Sequence, residues 1–119
     1  MVNVNLKGAM YLTKALLPRI IGARHAAKIV FINSVAGLPT WTIPGESVYS
    51  ASKHGLSGFA DSLANELRTH RITVTSIHPG GVDTPLQERA GAPADVRASF
   101  LGADDVADAV EYVVDAPRA

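Results

Sequence analysis

Two periodicities alternate along the chain. From about Val4 to Ala23, Leu6, Met10, Thr13, Leu16, Leu17 and Ile20 recur at helical spacing, which predicts an amphipathic helix. Pro18 lies inside it and is expected to kink the last turns, because proline lacks the N–H and its ring crowds the preceding turn. The period then changes. Lys28-Ile-Val-Phe-Ile-Asn33 is a short, β-branched apolar run, the pattern of a strand buried on both faces. Residues 35 to 45 carry Gly37, Pro39, Pro44 and Gly45 and predict a loop. Helical spacing returns from about Glu46 to Thr69, with Leu56, Phe59, Ala60, Leu63 and Leu67 on one apolar face. Ile72-Thr-Val-Thr-Ser-Ile77 predicts a second strand, broken by His78-Pro-Gly-Gly-Val-Asp-Thr-Pro85. A short helical turn is expected around Leu86 to Arg89. Asp104 or Asp105 starts a last helix with Val106, Ala109, Val110 and Val113 inward and acids in its first turn, where they are favoured.

Strand, long helix, strand is a βαβ unit. Its strands should be parallel and its crossover right-handed. The fold class is therefore α/β. Ser34 follows the first strand and the Pro-Gly-Gly loop follows the second, so both belong at one carboxyl edge. Ligands of open α/β sheets bind at that edge. Tyr49 begins the helix that leaves the loop after Ser34, so it belongs there too.

Tyr49 and Lys53 are four apart in Tyr-Ser-Ala-Ser-Lys, which on a helix sets them on one face with Cβ atoms about 5–6 Å apart. A free phenol titrates near pH 10, and a base working near neutral pH needs roughly 3 units less, about 4 kcal/mol. A unit charge at ~6 Å in an effective dielectric of ~20 contributes about 2.8 kcal/mol, roughly 2 units. A lysine at that distance would supply most of what such a base needs, and a second positive charge would supply the rest. Tyr-x-x-x-Lys alone is weak, since any amphipathic helix can hold a packed tyrosine beside a solvated lysine. The convergence of Ser34, Tyr49 and the Pro-Gly-Gly loop at one crevice is what gives the pair meaning.

Composition narrows the classes. The chain has 119 residues, 47% of them hydrophobic, a composition that supports a core and argues against disorder. Eleven Lys and Arg balance eleven Asp and Glu, with no basic patch for nucleic acid and no acidic tail. Cysteine is absent, which excludes disulfides, thiolate catalysis and zinc–thiolate sites and is compatible with a reducing cytoplasm. No apolar run approaches the ~18 residues of a membrane span. The N-terminus lacks a basic n-region, so no signal peptide is expected. His54 and His78 have no metal-ligand spacing with any acid. Gly45-Glu-Ser47 is not the Gly-x-Ser-x-Gly elbow of a serine hydrolase.

With these pieces in order, the chain resembles the short-chain dehydrogenase/reductase family. Asn5, in Asn-Leu-Lys-Gly, resembles the helix asparagine of that family's catalytic tetrad, with Asn3 a competing candidate and a helix cap an alternative role. Ser34, in Ile-Asn-Ser-Val-Ala-Gly, is similar to its serine, and Tyr49 and Lys53 to its Tyr-x-x-x-Lys pair. Pro79-Gly80-Gly81-Val82-Asp83-Thr84 is similar to the Pro-Gly-x-Val-x-Thr stretch that contacts the nicotinamide carboxamide, and Asp104-Asp-Val-Ala-Asp-Ala-Val to the family's late helix.

The resemblance implies a partial Rossmann-like, doubly wound parallel sheet, a single partial domain over residues 1–119 that forms the catalytic half of the fold. It implies hydride transfer between NAD or NADP and an alcohol or carbonyl substrate. Tyr49 would be the general acid/base, Lys53 its electrostatic partner and a ribose ligand, and Ser34 a hydrogen-bond donor to the substrate oxygen. Asn5 would hold a water in a proton relay to Lys53. Pro79, Gly80, Val82 and Thr84 would meet the nicotinamide.

The chain departs from the family in having no Gly-x-x-x-Gly-x-Gly or Gly-x-Gly-x-x-Gly run, no Asn-Asn-Ala-Gly stretch and no residue that selects NAD or NADP. It reads as starting at the family's middle helix and stopping before the last strand. Leu38, Trp41 and Ile43, or Leu86 and Gln87, are placed to line a substrate pocket, and ordinary loop packing explains them equally well. A homo-oligomer paired through helices 4–23 and 46–69 is the expected assembly, with no nucleic-acid or membrane partner. The alternative from another class is an inert fragment or interaction module that folds against a partner.

Overall fold

The structure is a computed structural model that describes residues 1–23 and 25–117. The chain divides into two compact units, Met1–His78 and Pro79–Ala119.

The first unit is the βαβ element. The leading helix opens as wide π turns over Asn3–Gly8 and continues as α1, Ala9–Ile21. Pro18 is accommodated inside α1, which ends three residues later at Ile21, short of the expected Ala23. Strand β1 (Lys28–Ile32) leads through a 3₁₀ turn, Val35–Gly37, and a loop to α2, Ser47–Glu66. A second 3₁₀ turn, Arg68–His70, precedes β2 (Thr73–Ile77). The strands pair in parallel, Lys28 beside Thr73 and Ile32 beside Ile77.

The predicted stripe of α2 forms the core. Leu56, Ala60, Leu63 and Leu67 are buried with Phe31 and Ile72, and Ile29, Phe59 and Val74 pack against them. The rings of Phe31 and Phe59 meet edge to face, centroids 5.8 Å apart at 69°. Alternation along a strand places Ile29 and Phe31 on one face and Val30 and Ile32 on the other. Only the first of these faces is covered by α2. Phe31 is the only buried residue of β1, and Ile32 is 46% exposed, so the expectation of a strand buried on both faces is corrected. A parallel strand reaches double burial only when a helix covers each face, and in this unit the leading helix and α2 both pack against the one core cluster that holds Phe31.

The second unit carries β3 (Val82–Asp83) and β4 (Leu101–Gly102), a short parallel pair, with α3 (Pro85–Arg89), α4 (Ala94–Arg97) and α5 (Ala103–Asp115). Proline at the first position suits the start of α3, where its missing N–H has no helical partner. Helix α5 begins one residue ahead of Asp104. The Gly102 N–H donates to Asp105 Oδ2 at 2.7 Å, which closes its first turn. Val106, Ala109, Val110 and Val113 form the less exposed side of α5, as its spacing predicts. Helix α4 and the β3–β4 pair were not expected from the sequence. They are too short to carry a period.

Arg71 stands at φ 58° and ψ 32°, the left-handed region, just after the turn that closes α2. A side chain there is strained, and glycine is the residue that helix ends favour in this conformation. The left-handed conformation costs an L-residue about 1–2 kcal/mol, and glycine's greater loss of backbone freedom offsets roughly 0.5–1 kcal/mol of that, so Arg71→Gly is expected to raise the stability of the chain by about 0.5–1 kcal/mol. A urea unfolding midpoint at or below the wild-type value would show that the arginine side chain compensates for its backbone.

Candidate active site

At the carboxyl edge of β1, Asn33 continues the parallel ladder, its N–H donating to Ile77 O at 2.8 Å. Ser34 follows, buried, with its Oγ accepting from Ala36 N–H at 3.1 Å. Ser34 thereby caps the Val35–Gly37 turn, and its hydroxyl proton remains available to donate. The serine's backbone is held as tightly as its side chain. Its N–H donates to Asn33 Oδ1 at 2.9 Å. Its carbonyl accepts from Gly37 N–H at 2.9 Å and from His78 Nδ1 at 2.8 Å. A carbonyl only accepts, so His78 carries its proton on Nδ1 in this contact.

The first turns of α2 bring Tyr49 and Lys53 to the same edge. The Lys53 ammonium lies 5.8 Å from the centroid of the Tyr49 ring and donates to Ile32 O, at the end of β1, at 3.3 Å. That single hydrogen bond leaves two of its three protons for other acceptors. The Tyr49 hydroxyl has no hydrogen-bond partner among the described residues. Ser52 is almost fully buried. Its Oγ donates to Tyr49 O at 2.7 Å and lies 3.4 Å from Asn5 Nδ2 on the π turns of the leading helix. Asn5, and not Asn3, is the asparagine that reaches α2. Asn5, Ser34, Tyr49 and Lys53 all belong to the first unit.

Pro79, Gly80, Val82 and Thr84 belong to the second unit. Val82 lies in β3, paired with Leu101, and Thr84 stands at the residue before α3, its side chain making no capping hydrogen bond. Between them, Asp83 accepts from Arg97 at 2.9 Å. A Cβ on Gly81 would collide with the Phe100 ring, so the ring fills the space that a side chain at this position would take. Trp41 and Ile43 are exposed in the loop before α2, and Leu86 is exposed on α3. His54 lies on the exposed side of α2, its Nδ1 2.9 Å from Ser50 O. Among the described residues no three His, Asp or Glu side chains gather as a metal site, and no helix is long and apolar enough to cross a membrane.

Sequence reasoning missed Asn33, Ser57 and the contact of His78. A buried asparagine at the end of an apolar run was the available signal for the first. Each of the three has a partner 20 or more positions away, where no local pattern reaches.

The family model described as short chain dehydrogenase matches residues 1–95, which contain every residue of this edge. The chain belongs to the short-chain dehydrogenase family. It is 40% identical over 91 residues to the (-)-trans-carveol dehydrogenase of Rhodococcus erythropolis, covering 76% of this chain and 32% of that protein. It is 36% identical over 119 residues to the 3-oxoacyl-[acyl-carrier-protein] reductase of Escherichia coli (strain K12), covering 94% of this chain and 48% of the reductase. A solved 4-hydroxyisoleucine dehydrogenase complexed with NADH superposes with a TM-score of 0.83 at 28% identity, covering 96% of this chain and 50% of the other. The fold is thus the Rossmann-like α/β fold of that family, and the chain spans half or less of the length of these relatives.

Burial at the edge lowers the pKa of Lys53 from its ordinary 10.5, because the ammonium loses hydration. The folded value lies below the unfolded one. Between the two, the unfolded chain binds a proton that the folded chain does not, so stability rises with pH through that window and is lower beneath it. Lys53→Met removes the titrating group. The variant is expected to lose this alkaline rise and to be at least as stable as the wild type at pH 7, measured by urea unfolding between pH 7 and 10.5. A rise that survives in the variant would assign the effect to another group.

Proposed function

We propose that the chain carries the proton-transfer machinery of an oxidoreductase that moves hydride between NAD or NADP and an alcohol or carbonyl compound. What supports the reading is a tyrosine hydroxyl with no partner among the described residues, one helical turn from a lysine ammonium with protons to spare. A bound nicotinamide nucleotide supplies or accepts the hydride. In the reductive direction Tyr49 gives its hydroxyl proton to the carbonyl oxygen, and the Ser34 hydroxyl donates to the same oxygen as negative charge develops there. The Lys53 charge favours the phenolate that is left. Its spare protons suit the ribose hydroxyls. Asn5 holds a water between solvent and Lys53. Pro79, Gly80, Val82 and Thr84 meet the nicotinamide through backbone groups and the threonine hydroxyl.

These donors suit the nicotinamide-ribose end of the nucleotide. The pyrophosphate ordinarily rests on backbone N–H groups at a helix start after a glycine-rich turn. No such run occurs in the 119 residues.

A second reading is an inert module that works through its surface. It is favoured by the exposed apolar side chains of α1, Tyr11 at 68% and Leu12 at 62%, with Val48 at the start of α2. A homo-oligomer paired through helices 4–23 and 46–69 would cover them and is compatible with either reading.

Tyr49→Phe tests the first reading directly. With millimolar NADH or NADPH and a panel of carbonyl compounds, turnover is expected to fall by about 10²–10⁴-fold with folding unchanged, since the hydroxyl moves the proton and the ring only packs. Turnover within a few-fold of wild type would remove the tyrosine from the chemistry. No turnover by the wild-type chain would favour the inert module.

The chain is also expected to bind intact NADH and NADPH no more tightly than the millimolar range, because the adenosine and phosphate half finds no seat. Titration calorimetry on the monomeric chain measures this. Micromolar binding would require a phosphate site among residues not assigned above.

A further inference from the structure

Asn33 is 4% exposed, and its carboxamide is fully engaged. Oδ1 accepts from Ser34 N–H at 2.9 Å, while Nδ2 donates to Ser57 Oγ at 2.9 Å and to Lys53 O at 3.3 Å. One side chain thus touches the backbone of two residues assigned to the chemistry, on a strand end and on a helix. Ser57 extends the joint. Its Oγ lies 2.9 Å from Gly37 O and 3.1 Å from Lys53 O. It accepts a hydrogen bond from Asn33 and donates its one hydroxyl hydrogen to the Gly37 carbonyl, with the Lys53 carbonyl as the longer, shared acceptor. Gly37 closes the joint, since a Cβ there would stand 2.8 Å from Asn33 Oδ1 and from Lys53 O and 2.9 Å from Ser57 Oγ. Strand end, 3₁₀ turn and α2 are therefore pinned together at one point.

We propose that Asn33 is a positioning residue whose carboxamide fixes the placement of Ser34 relative to Lys53. The inference rests on the function proposed above. The chemistry of the joint selects the residue type. It requires an acceptor facing the strand-end N–H and a donor facing the helix within one planar group. Asparagine offers both, aspartate offers only the acceptor, and an apolar residue offers neither. Buried polar networks of this kind hold a unique geometry only when every member is satisfied. A misplacement of about 1 Å in reacting groups is enough to cost up to 10²-fold in rate.

Asn33→Ala and Asn33→Asp, made in the full chain beside Tyr49→Phe, test this. Asn33→Ala is expected to lower kcat by about 10–100-fold while KM for the carbonyl compound stays within about threefold, because the joint orients groups and does not bind substrate. Amide exchange followed by NMR gives a readout independent of turnover. Exchange at Ser34 should be at least ~10-fold faster in Asn33→Ala and near wild type in Asn33→Asp, with Leu63 in the core unchanged in both. If Asn33→Ala does not fold, Asn33→Asp decides, with Ser34 protected and kcat still reduced at least ~10-fold by loss of the Lys53 and Ser57 arm.

If Tyr49→Phe abolishes turnover but both folded Asn33 variants keep kcat within threefold of wild type, the positioning role is overturned and the proposed function stands. If the wild-type chain turns over nothing, the proposed function fails and Ser34 exchange judges the joint. Faster exchange confined to that edge in Asn33→Ala supports it, and unchanged exchange overturns it.

Discussion

The first unit depends on one contact, the seating of Leu56, Ala60 and Leu63 of α2 and of Leu67 at its end on Phe31 of β1 and Ile72 just before β2. Burial of apolar area is the dominant favourable term in such a small unit. Here it is concentrated on one helix face and one sheet face. The same helix carries Tyr49 and Lys53 on its earlier turns. The register of the buried stripe therefore decides where the two polar side chains emerge. Sliding α2 by one turn along its axis would move them about 5.4 Å, more than the reach of any hydrogen bond at the edge.

Apolar packing alone leaves a helix some freedom to slide and roll, because it is non-directional. The polar joint at Asn33 removes that freedom. Its bonds to Ser34 N–H, Lys53 O and Ser57 Oγ are directional and buried, and a broken one leaves an unsatisfied group. Ser52 ties the leading helix to α2 in the same way, through a longer contact with Asn5. The edge is thus built in two steps, a core that brings strand and helix together and a polar layer that sets their final geometry.

Lys53 is subject to opposing effects. Burial disfavours its charged form, while the chemistry proposed for it requires the charge. The bond to Ile32 O returns part of the lost hydration, and the π face of Tyr49 lies within cation–π range. A residue held at a cost to folding, at the edge where ligands of this fold class bind, is the pattern expected of a functional group. Elsewhere the unit is open, and the second face of β1 and much of α1 present apolar atoms to solvent.

Much of this was legible from residue order. The 3.6-residue stripe of α2 and the two β-branched runs determined a parallel βαβ unit, because buried faces must be apolar at the period of the element that presents them. The same spacing put Tyr49 and Lys53 on one face and Ser34 at the strand's end. Other features were decided only by tertiary structure. Asn33 reads locally as a strand-end polar residue and His78 as a stray histidine, yet the Asn33 carboxamide bonds Lys53 and Ser57 on α2 and the His78 ring bonds the Ser34 carbonyl. Phe100 fills the space beside Gly81, and Ile32 lies open although its pattern predicts burial. In each case the deciding group lies far away in sequence or is a second packing layer. Periodicity records which face of an element is apolar. It does not record what comes to lie against that face, or which distant carbonyl completes a hydrogen bond.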